Sequence, residues 1–151
     1  LLHVTHDSGK SWELISGDLA RERWFSRVVA SRWTDGLVYA AQNGKRWDDL
    51  AAYLWRSEDD GESWRNIAEG IPGGPINVVA EDPKNSDVVY VGTDLGVYVS
   101  LDRGESWEAL TAGLPTTYVH DLIVHPRDDV LVIATHGRGM WAMDARPIQD
   151  P

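Results

Sequence analysis

Three segments of the chain share one pattern, in which an Asp and a Gly two residues apart are followed by a Ser-Trp pair. The Asp carboxylate can accept hydrogen bonds from backbone N–H groups just after it, and Gly permits a positive φ. The hydroxyl adds a local hydrogen bond, and the Trp is an apolar anchor whose indole N–H needs an acceptor. We therefore interpret each segment, called a box below, as a structural turn. The boxes contain Asp7, Gly9 and Trp12; Asp59, Gly61 and Trp64; and Asp102, Gly104 and Trp107.

The chain also repeats itself with a regular period. Trp64 and Trp107 lie 43 residues apart. The same step joins Gly70 to Gly113, Pro72 to Pro115, Pro83 to Pro126, Gly96 to Gly139 and Tyr98 to Trp141. Trp12 and Trp64 are 52 residues apart, and eight of the nine extra residues lie between Gln42 and Tyr53. A repeat of about 40 to 50 residues is typical of a β-propeller.

Each repeat contains four short apolar runs, rich in Val and Tyr and bounded by turn residues, which predict four β-strands, A to D. In the clearest copy they are Ile76–Glu81, Val88–Thr93, Gly96–Leu101 and Ser106–Leu110, and the box is the turn between C and D. The pattern predicts 13 strands in an all-β fragment of a propeller with four-stranded antiparallel blades. A β-sandwich would not explain the period. The expected divisions are a blade part at 1–15, blades at 27–67 and 76–110, a blade part at 119–144 and a tail at 145–151.

The composition argues against several kinds of partner. The net charge is −10 and the longest basic run is Lys45-Arg46, so we expect no nucleic acid. There is no Cys to form a disulfide, and no apolar run of membrane-spanning length, so we expect no membrane insertion. No motif indicates a cofactor. Because the chain opens on Leu1 inside a blade, we interpret it as a piece of a longer protein. Its expected partners are the remaining blades or other copies of the chain.

The boxes resemble the Asp-box, or bacterial neuraminidase repeat, of sialidases, sortilin-type receptors and several glycoside-hydrolase propellers. Glu81-Asp82-Pro83, Gly113-Leu114-Pro115 and Thr135–Trp141 are similar to segments of large bacterial glycosyl-hydrolase-like or sortilin-domain proteins. The resemblance covers essentially the whole chain. It implies a propeller in a secreted or envelope protein of bacteria, and hence an extracellular or periplasmic location. Sialidases also need an arginine cluster, and the only Arg-Pro pair here, Arg146-Pro147, follows the last strand.

The same resemblance implies that ligands bind on the face opposite the boxes, which is built from the D–A and B–C connections. The strongest suspect there is the surplus segment Asn43–Leu50, because insertions on one face of a repeat array often carry binding. Packing against a neighbouring blade is the alternative role. We take Trp12, Trp64 and Trp107 as packing residues, and Trp24, Trp33 and Trp47 as candidates for stacking on a ligand. The predicted ligand-binding residues are Arg23, Trp24, Arg46, Trp47, Tyr118, His136 and Arg138.

Catalytic and metal-binding roles have weaker support. A glycosidase needs two carboxyl groups at a defined separation, and the candidates on this face are Asp48, Asp49, Asp94 and Asp121. Capping of turns and solvated surface are the commoner roles of such residues. The His residues at 120, 125 and 136 do not form a convincing zinc set, and each box offers too few carboxylates for calcium. We therefore assign no catalytic residue and no metal site.

These observations favour a non-catalytic segment of a larger propeller that engages a polypeptide or a glycan across the loop face. The competing hypothesis is a segment of a glycoside hydrolase, sialidase-like or of another Asp-box type. A purely architectural role is the third. A hydrolase would need two carboxyl groups across a cleft, one of them with a raised pKa. A binding module needs only an aromatic or charged rim.

Overall fold

The computed structural model of the chain describes residues 1–17, 19–72, 74–111 and 113–150, which form four antiparallel sheets. The first sheet pairs β1 (His3–Val4) with β2 (Glu13–Leu14). The second contains β3 (Trp24–Ala30), β4 (Val38–Asn43), β5 (Tyr53–Ser57) and β6 (Arg65–Asn66). The third contains β7 (Ile76–Glu81), β8 (Val89–Thr93), β9 (Val97–Ser100) and β10 (Glu108–Ala109). The fourth contains β11 (Val119–His125), β12 (Val130–Thr135) and β13 (Met140–Asp144).

Each sheet is a simple meander, and the sheets pack face to face. The first strands β3, β7 and β11 lie side by side, as the inner strands of propeller blades do. One apolar cluster fills the space between the second and third sheets and includes Tyr39, Leu54, Val91 and Trp107. A second cluster lies between the third and fourth sheets. The predicted all-β propeller fragment is confirmed.

The boxes form tight turns stabilised by their Asp and hydroxyl side chains. In the second box, Asp59 Oδ1 accepts hydrogen bonds from the Ser57 hydroxyl at 2.8 Å and from the Ser63 N–H at 2.9 Å. Asp59 Oδ2 accepts from the Ser63 hydroxyl at 2.6 Å, and the Gly61 N–H donates to Ser57 Oγ at 2.8 Å. Gly61 has φ +94°, a conformation that L side chains rarely adopt. The boxes at residues 5–12 and 100–107 make matching bonds.

These bonds make the stability of the fold depend on pH. The hydroxyl of Ser63, then its N–H, and the Ser57 hydroxyl lower the pKa of Asp59 from 3.8 to about 2. Because the folded-state pKa is depressed, the stabilisation is complete above about pH 4 and is lost as the pH falls through about 2. We expect Asp59→Asn to reduce the loss of stability between about pH 5 and pH 2.5, measured by urea denaturation.

Asp35→Asn is the control for this measurement, since Asp35 is exposed and its carboxylate has no hydrogen bond within the part of the chain that the structure describes. An Asp59→Asn protein whose stability falls with pH as steeply as that of the Asp35→Asn protein would contradict the assignment.

The box tryptophans also connect neighbouring sheets. The indole N–H of Trp64 donates to the Ile15 carbonyl at 2.7 Å, and that of Trp107 donates to the Ile67 carbonyl at 2.7 Å. Trp107 is 9% exposed, whereas Trp12 is 63% exposed. Among the described residues no sheet covers the Trp12 indole, and the packing role of Trp12 stays a prediction.

The segment that the sequence marks as a tail begins with a helical turn. Residues Arg146–Gln149 form one helical turn, α1, which packs against the turn between β7 and β8. The Gln149 amide donates to both carboxylate oxygens of the buried Asp82 at 3.0 Å. The Asn85 amide donates to the Gln149 carbonyl at 2.8 Å. The last residues described thus join the third and fourth sheets.

Two buried tyrosines at equivalent repeat positions differ in their hydroxyl contacts. The Tyr90 hydroxyl donates to Asp82 Oδ2 at 3.0 Å, whereas the Tyr39 hydroxyl has no partner among the described residues. We expect Tyr90→Phe to lower the free energy of unfolding by about 1.5–3 kcal/mol, because a hydrogen bond to a carboxylate is lost. Tyr39→Phe should leave it unchanged or raise it by up to about 1 kcal/mol. Equal losses in the two variants, measured by urea denaturation, would contradict this difference.

Candidate functional site

The surplus segment forms a compact loop between β4 and β5. Lys45–Trp47 is a single 3₁₀ turn, and Asp48 ends it in the left-handed conformation at φ +59°. The Asn43 side chain accepts a hydrogen bond from the Lys45 N–H at 2.9 Å. Gly44 is needed because a Cβ there would lie 2.8 Å from Cδ of Arg23. The loop is therefore built closely around the Arg23 side chain.

An ion pair anchors this loop to the segment before β3. The guanidinium of Arg23 contacts Asp49 Oδ2 at 2.7 and 2.8 Å, and the Tyr53 hydroxyl donates to the same oxygen at 2.8 Å. The Ala51 N–H, the Tyr53 hydroxyl and Arg23 together lower the pKa of Asp49. The bond to Asp49 in turn raises the pKa of Arg23. Both groups are charged at neutral pH and hold the loop in place.

Two exposed tryptophans lie on the outer side of the loop. The Trp24 and Trp47 rings meet edge to face, with centroids 6.5 Å apart, and are 40% and 46% exposed. The Arg46 guanidinium lies 4.0 Å from the centroid of the Trp24 ring, and that of Arg23 lies 5.7 Å from the Trp47 centroid. Cations at these distances are attracted to an indole face and limit ring motion. We call Trp24, Trp47 and Arg46 the aromatic platform.

A buried chain of polar groups continues from the loop into the third sheet. The Asn43 amide donates to Asn77 Oδ1 at 2.9 Å, and the Asn77 amide donates to Asp94 Oδ1 at 2.9 Å. The Lys45 ammonium donates to Asp94 Oδ2 at 2.7 Å. The Asn77 amide also donates to the Val119 carbonyl at 3.0 Å, which brings in the fourth sheet. Three sheets therefore share one hydrogen-bonded network.

Tyr118 extends this network at the start of the fourth sheet. Its hydroxyl donates to Asn77 Oδ1 at 3.2 Å, and the Lys45 ammonium lies 4.9 Å from the centroid of its ring. The rings of His120 and His136 have centroids 6.0 and 5.9 Å from that of Tyr118. Burial, and then the Asp94 charge, raise the pKa of the Tyr118 hydroxyl. The aromatic platform, the ion pair, the polar chain and this aromatic cluster are together the loop-face network.

The network brings together most residues that the sequence singled out for ligand binding. These are Arg23, Trp24, Arg46, Trp47, Tyr118 and His136. Arg138 lies on the same turn as His136, where its carbonyl accepts a hydrogen bond from the Trp141 indole. Trp33, a candidate for stacking, lies at the other end of the sheet, where its indole donates to the Asp82 carbonyl at 3.0 Å.

Sequence reasoning missed two members of the network and gave two others no individual role within the surplus segment. The missed residues are Tyr53 and Asn77, and the residues of the segment without an assigned role are Asn43 and Lys45. One of them had a detectable signal, since Asn77 interrupts the apolar run Ile76–Glu81 and is a buried polar residue that must find partners. Lys45 reaches Asp94 across 49 residues of sequence, and no local pattern indicates that contact.

Three of the four candidate catalytic carboxylates are occupied by ion pairs. Asp49 contacts Arg23, Asp94 contacts Lys45, and Asp121 contacts Arg27 at 2.5 Å. The lowered pKa of Asp49 is opposite to the raised value that a general acid needs. Asp48 is exposed, and its carboxylate makes no hydrogen bond to any residue whose placement the structure describes. Asp48 is therefore the best remaining candidate for an acid–base role.

Within residues 1–17, 19–72, 74–111 and 113–150 there is no group of three or more His, Asp or Glu side chains that could hold a metal ion. His125 instead accepts a hydrogen bond from the Asp128 N–H at 3.2 Å, within the turn between β11 and β12. Over the same described ranges, no helix has the length and apolar character needed to span a membrane.

Four-stranded meanders stacked through their inner strands, with polar and aromatic loops collected at one end, define a segment of a β-propeller protein. The chain belongs to the Sortilin-Vps10 family, whose model, described as "Sortilin, neurotensin receptor 3", matches residues 52–146. The resemblance to sortilin-type propellers is thereby confirmed. A comparison with curated proteins finds no match.

Solved structures of GH74 enzymes share the fold. The xyloglucanase from Xanthomonas campestris has a TM-score of 0.74 and 24% identity, over 94% of this chain and 23% of its own. The enzyme from Niastella koreensis has a TM-score of 0.65 and 16% identity, over 80% and 20%. An ancestral GH74 enzyme has a TM-score of 0.62 and 22% identity, over 76% and 14%. This chain thus spans less than a quarter of the length of these relatives.

Proposed function

We propose that this chain is a non-catalytic binding segment of a larger secreted or envelope propeller, which engages a glycan or a polypeptide across the loop-face network. The observation that carries the proposal is the aromatic platform. Trp24 and Trp47 are exposed, yet their rings are held by each other and by the Arg23 and Arg46 guanidinium groups. Rigid amphipathic rings supply contact area at little cost in conformational entropy.

The charge distribution around the platform supports binding in preference to catalysis. Lys45, Arg23 and Asp49 are committed to ion pairs that position the loop. In these pairs the carboxylates of Asp49 and Asp94 serve to position the loop, and Asp48 alone among the loop's carboxylates is unpaired within the described residues. The polar chain through Asn77 holds the same surface against the two neighbouring sheets.

Two probes test this proposal: a xyloglucan oligosaccharide, because the Xanthomonas campestris relative is a xyloglucanase, and neurotensin, because the family description names a neurotensin receptor. We expect one of them to bind saturably and to change the intrinsic tryptophan fluorescence. Trp47→Ala should weaken that binding about tenfold or more, because truncating a central aromatic contact commonly has such an effect. Trp33→Ala is the matched control, since Trp33 is similarly exposed at the other end of its sheet. Equal effects of the two substitutions, or binding of neither probe, would refute the proposal.

A segment of a glycoside hydrolase is the second candidate, and the likeness to GH74 enzymes favours it. The reducing ends released from xyloglucan over time distinguish the two functions. We expect no release above that of a heat-inactivated sample. Release that Asp48→Asn abolishes would establish the hydrolase instead.

A further inference from the structure

The box tryptophan of each complete blade donates a hydrogen bond to a backbone carbonyl of the preceding sheet, and these carbonyls lie at equivalent repeat positions. The carbonyls of Ile15 and Ile67, each just after a D strand, accept the indole N–H of the next box tryptophan at 2.7 Å. Leu110 occupies this position in the third sheet, since its N–H donates to Val97 as that of Ile67 donates to Leu54. No hydrogen bond to the Leu110 carbonyl is formed by the residues that the structure describes.

Beside Leu110 lies a small apolar slot. It is lined by Leu110, Leu114, Ile133, Trp141, Ala142 and Met143. The cluster that surrounds Trp107 contains the equivalent residues of the preceding repeat: Ile67, Ile71, Val91 and Tyr98. The slot therefore has the same position between two blades, and the same kind of lining, as the site that the Trp107 indole fills.

The strand next to the slot has one open edge. In the second and third sheets the third strand pairs with a short strand that follows a box, β5 with β6 and β9 with β10. The third strand of the fourth sheet, β13, pairs with β12 and with no other strand of the described chain. Met140 on this strand is 79% exposed. An open edge of this kind is a template for a further strand.

We propose that β13 and the slot bind a further box segment, a polypeptide with the pattern Ser-x-Asp-x-Gly-x-Ser-Trp followed by a short strand. Its Trp fills the slot and donates its indole N–H to the Leu110 carbonyl, and its strand pairs with β13. A second copy of this chain fits the edge poorly. Its exposed box strand β2 is already paired with β1, so it would bring two strands where β13 needs one. This surface is separate from the loop-face network, and the proposal does not depend on the proposed function.

A labelled 11-residue peptide with the sequence of Ser100–Leu110 tests the proposal through fluorescence anisotropy. We expect saturable binding to the full chain, at least about tenfold weaker for the peptide carrying Trp107→Ala, because the indole supplies the main buried contact. Equal binding of the two peptides, or binding of neither, would overturn the proposal.

Substitutions in the chain locate the site. Leu114→Trp, at a part-exposed position that lines the slot, should fill it and abolish peptide binding, whereas Ile123→Trp, on the exposed face of β11, should leave binding unchanged. Circular dichroism melting curves verify that both variants fold. Binding that survives Leu114→Trp would overturn the proposal. Sedimentation velocity gives a second test. If the chain self-associates with increasing concentration and Trp12→Ala removes this association, then a second copy of the chain occupies the slot, and the proposal is overturned.

Discussion

Replacement of Trp107 by alanine is expected to lower the free energy of unfolding by about 3–5 kcal/mol, the usual cost of removing a buried Trp. The indole lies within the apolar cluster between the second and third sheets, and its N–H donates to the Ile67 carbonyl. The substitution removes apolar contacts, leaves a cavity and leaves that carbonyl without its partner. Urea denaturation followed by circular dichroism measures the change.

Trp12→Ala is the matched control, because Trp12 has the same local sequence pattern but is mostly exposed. We expect its effect to stay within about 0.5 kcal/mol, as for most surface substitutions. If the two variants lost equal stability, the box tryptophans would stabilise their own turns and not the contact between neighbouring sheets.

Asp82→Ala is expected to cost about 3 kcal/mol or more, because one buried carboxylate satisfies several donors at once. Its oxygens accept hydrogen bonds from the N–H groups of Lys84 and Asn85, from the Tyr90 hydroxyl and from the Gln149 amide. Removing the carboxylate leaves buried donors unpaired and releases α1 from the turn. We expect the melting temperature to fall, together with faster proteolysis near the end of the chain.

Asp128→Ala provides the comparison for Asp82→Ala. Asp128 lies in the corresponding turn of the fourth sheet, but it is exposed and contacts its neighbour Arg127. It should change stability little. A loss as large as that of Asp82→Ala would show that the turn itself, and not the buried network, determines the cost.

The strand pattern was predictable from the sequence because it depends on local alternation and turn chemistry. Ile76–Glu81 is the same in prediction and structure. The predicted D strand Ser106–Leu110 was too long, since only Glu108–Ala109 pairs with β9. Trp107 turns away from its own sheet to reach Ile67, which shortens the strand.

The 43-residue register holds over the repeat as a whole but shifts by one residue within it. The Thr93 N–H closes its turn on the Gly96 carbonyl, whereas the Thr135 N–H closes on that of Gly139. The last connection between the second and third strands is thus one residue longer. A fixed step of 43 residues matches His136 to Thr93. In the structure Thr135 is the equivalent of Thr93, because the hydroxyl of each threonine donates to the carbonyl of the glycine that closes its turn.

The sequence by itself determined the box turns, the repeat and most of the strands, because each depends on residues a few positions apart. Burial and pairing between sheets were decided by the tertiary structure. Trp12 and Trp107 follow the same pattern of residues, yet one is exposed and the other buried, because burial depends on the neighbouring sheet. In the same way, Lys45, Asn77 and Tyr118 become one network because three blades stack side by side. The packing of the blades determines which loops come into contact, and local sequence patterns do not indicate that packing.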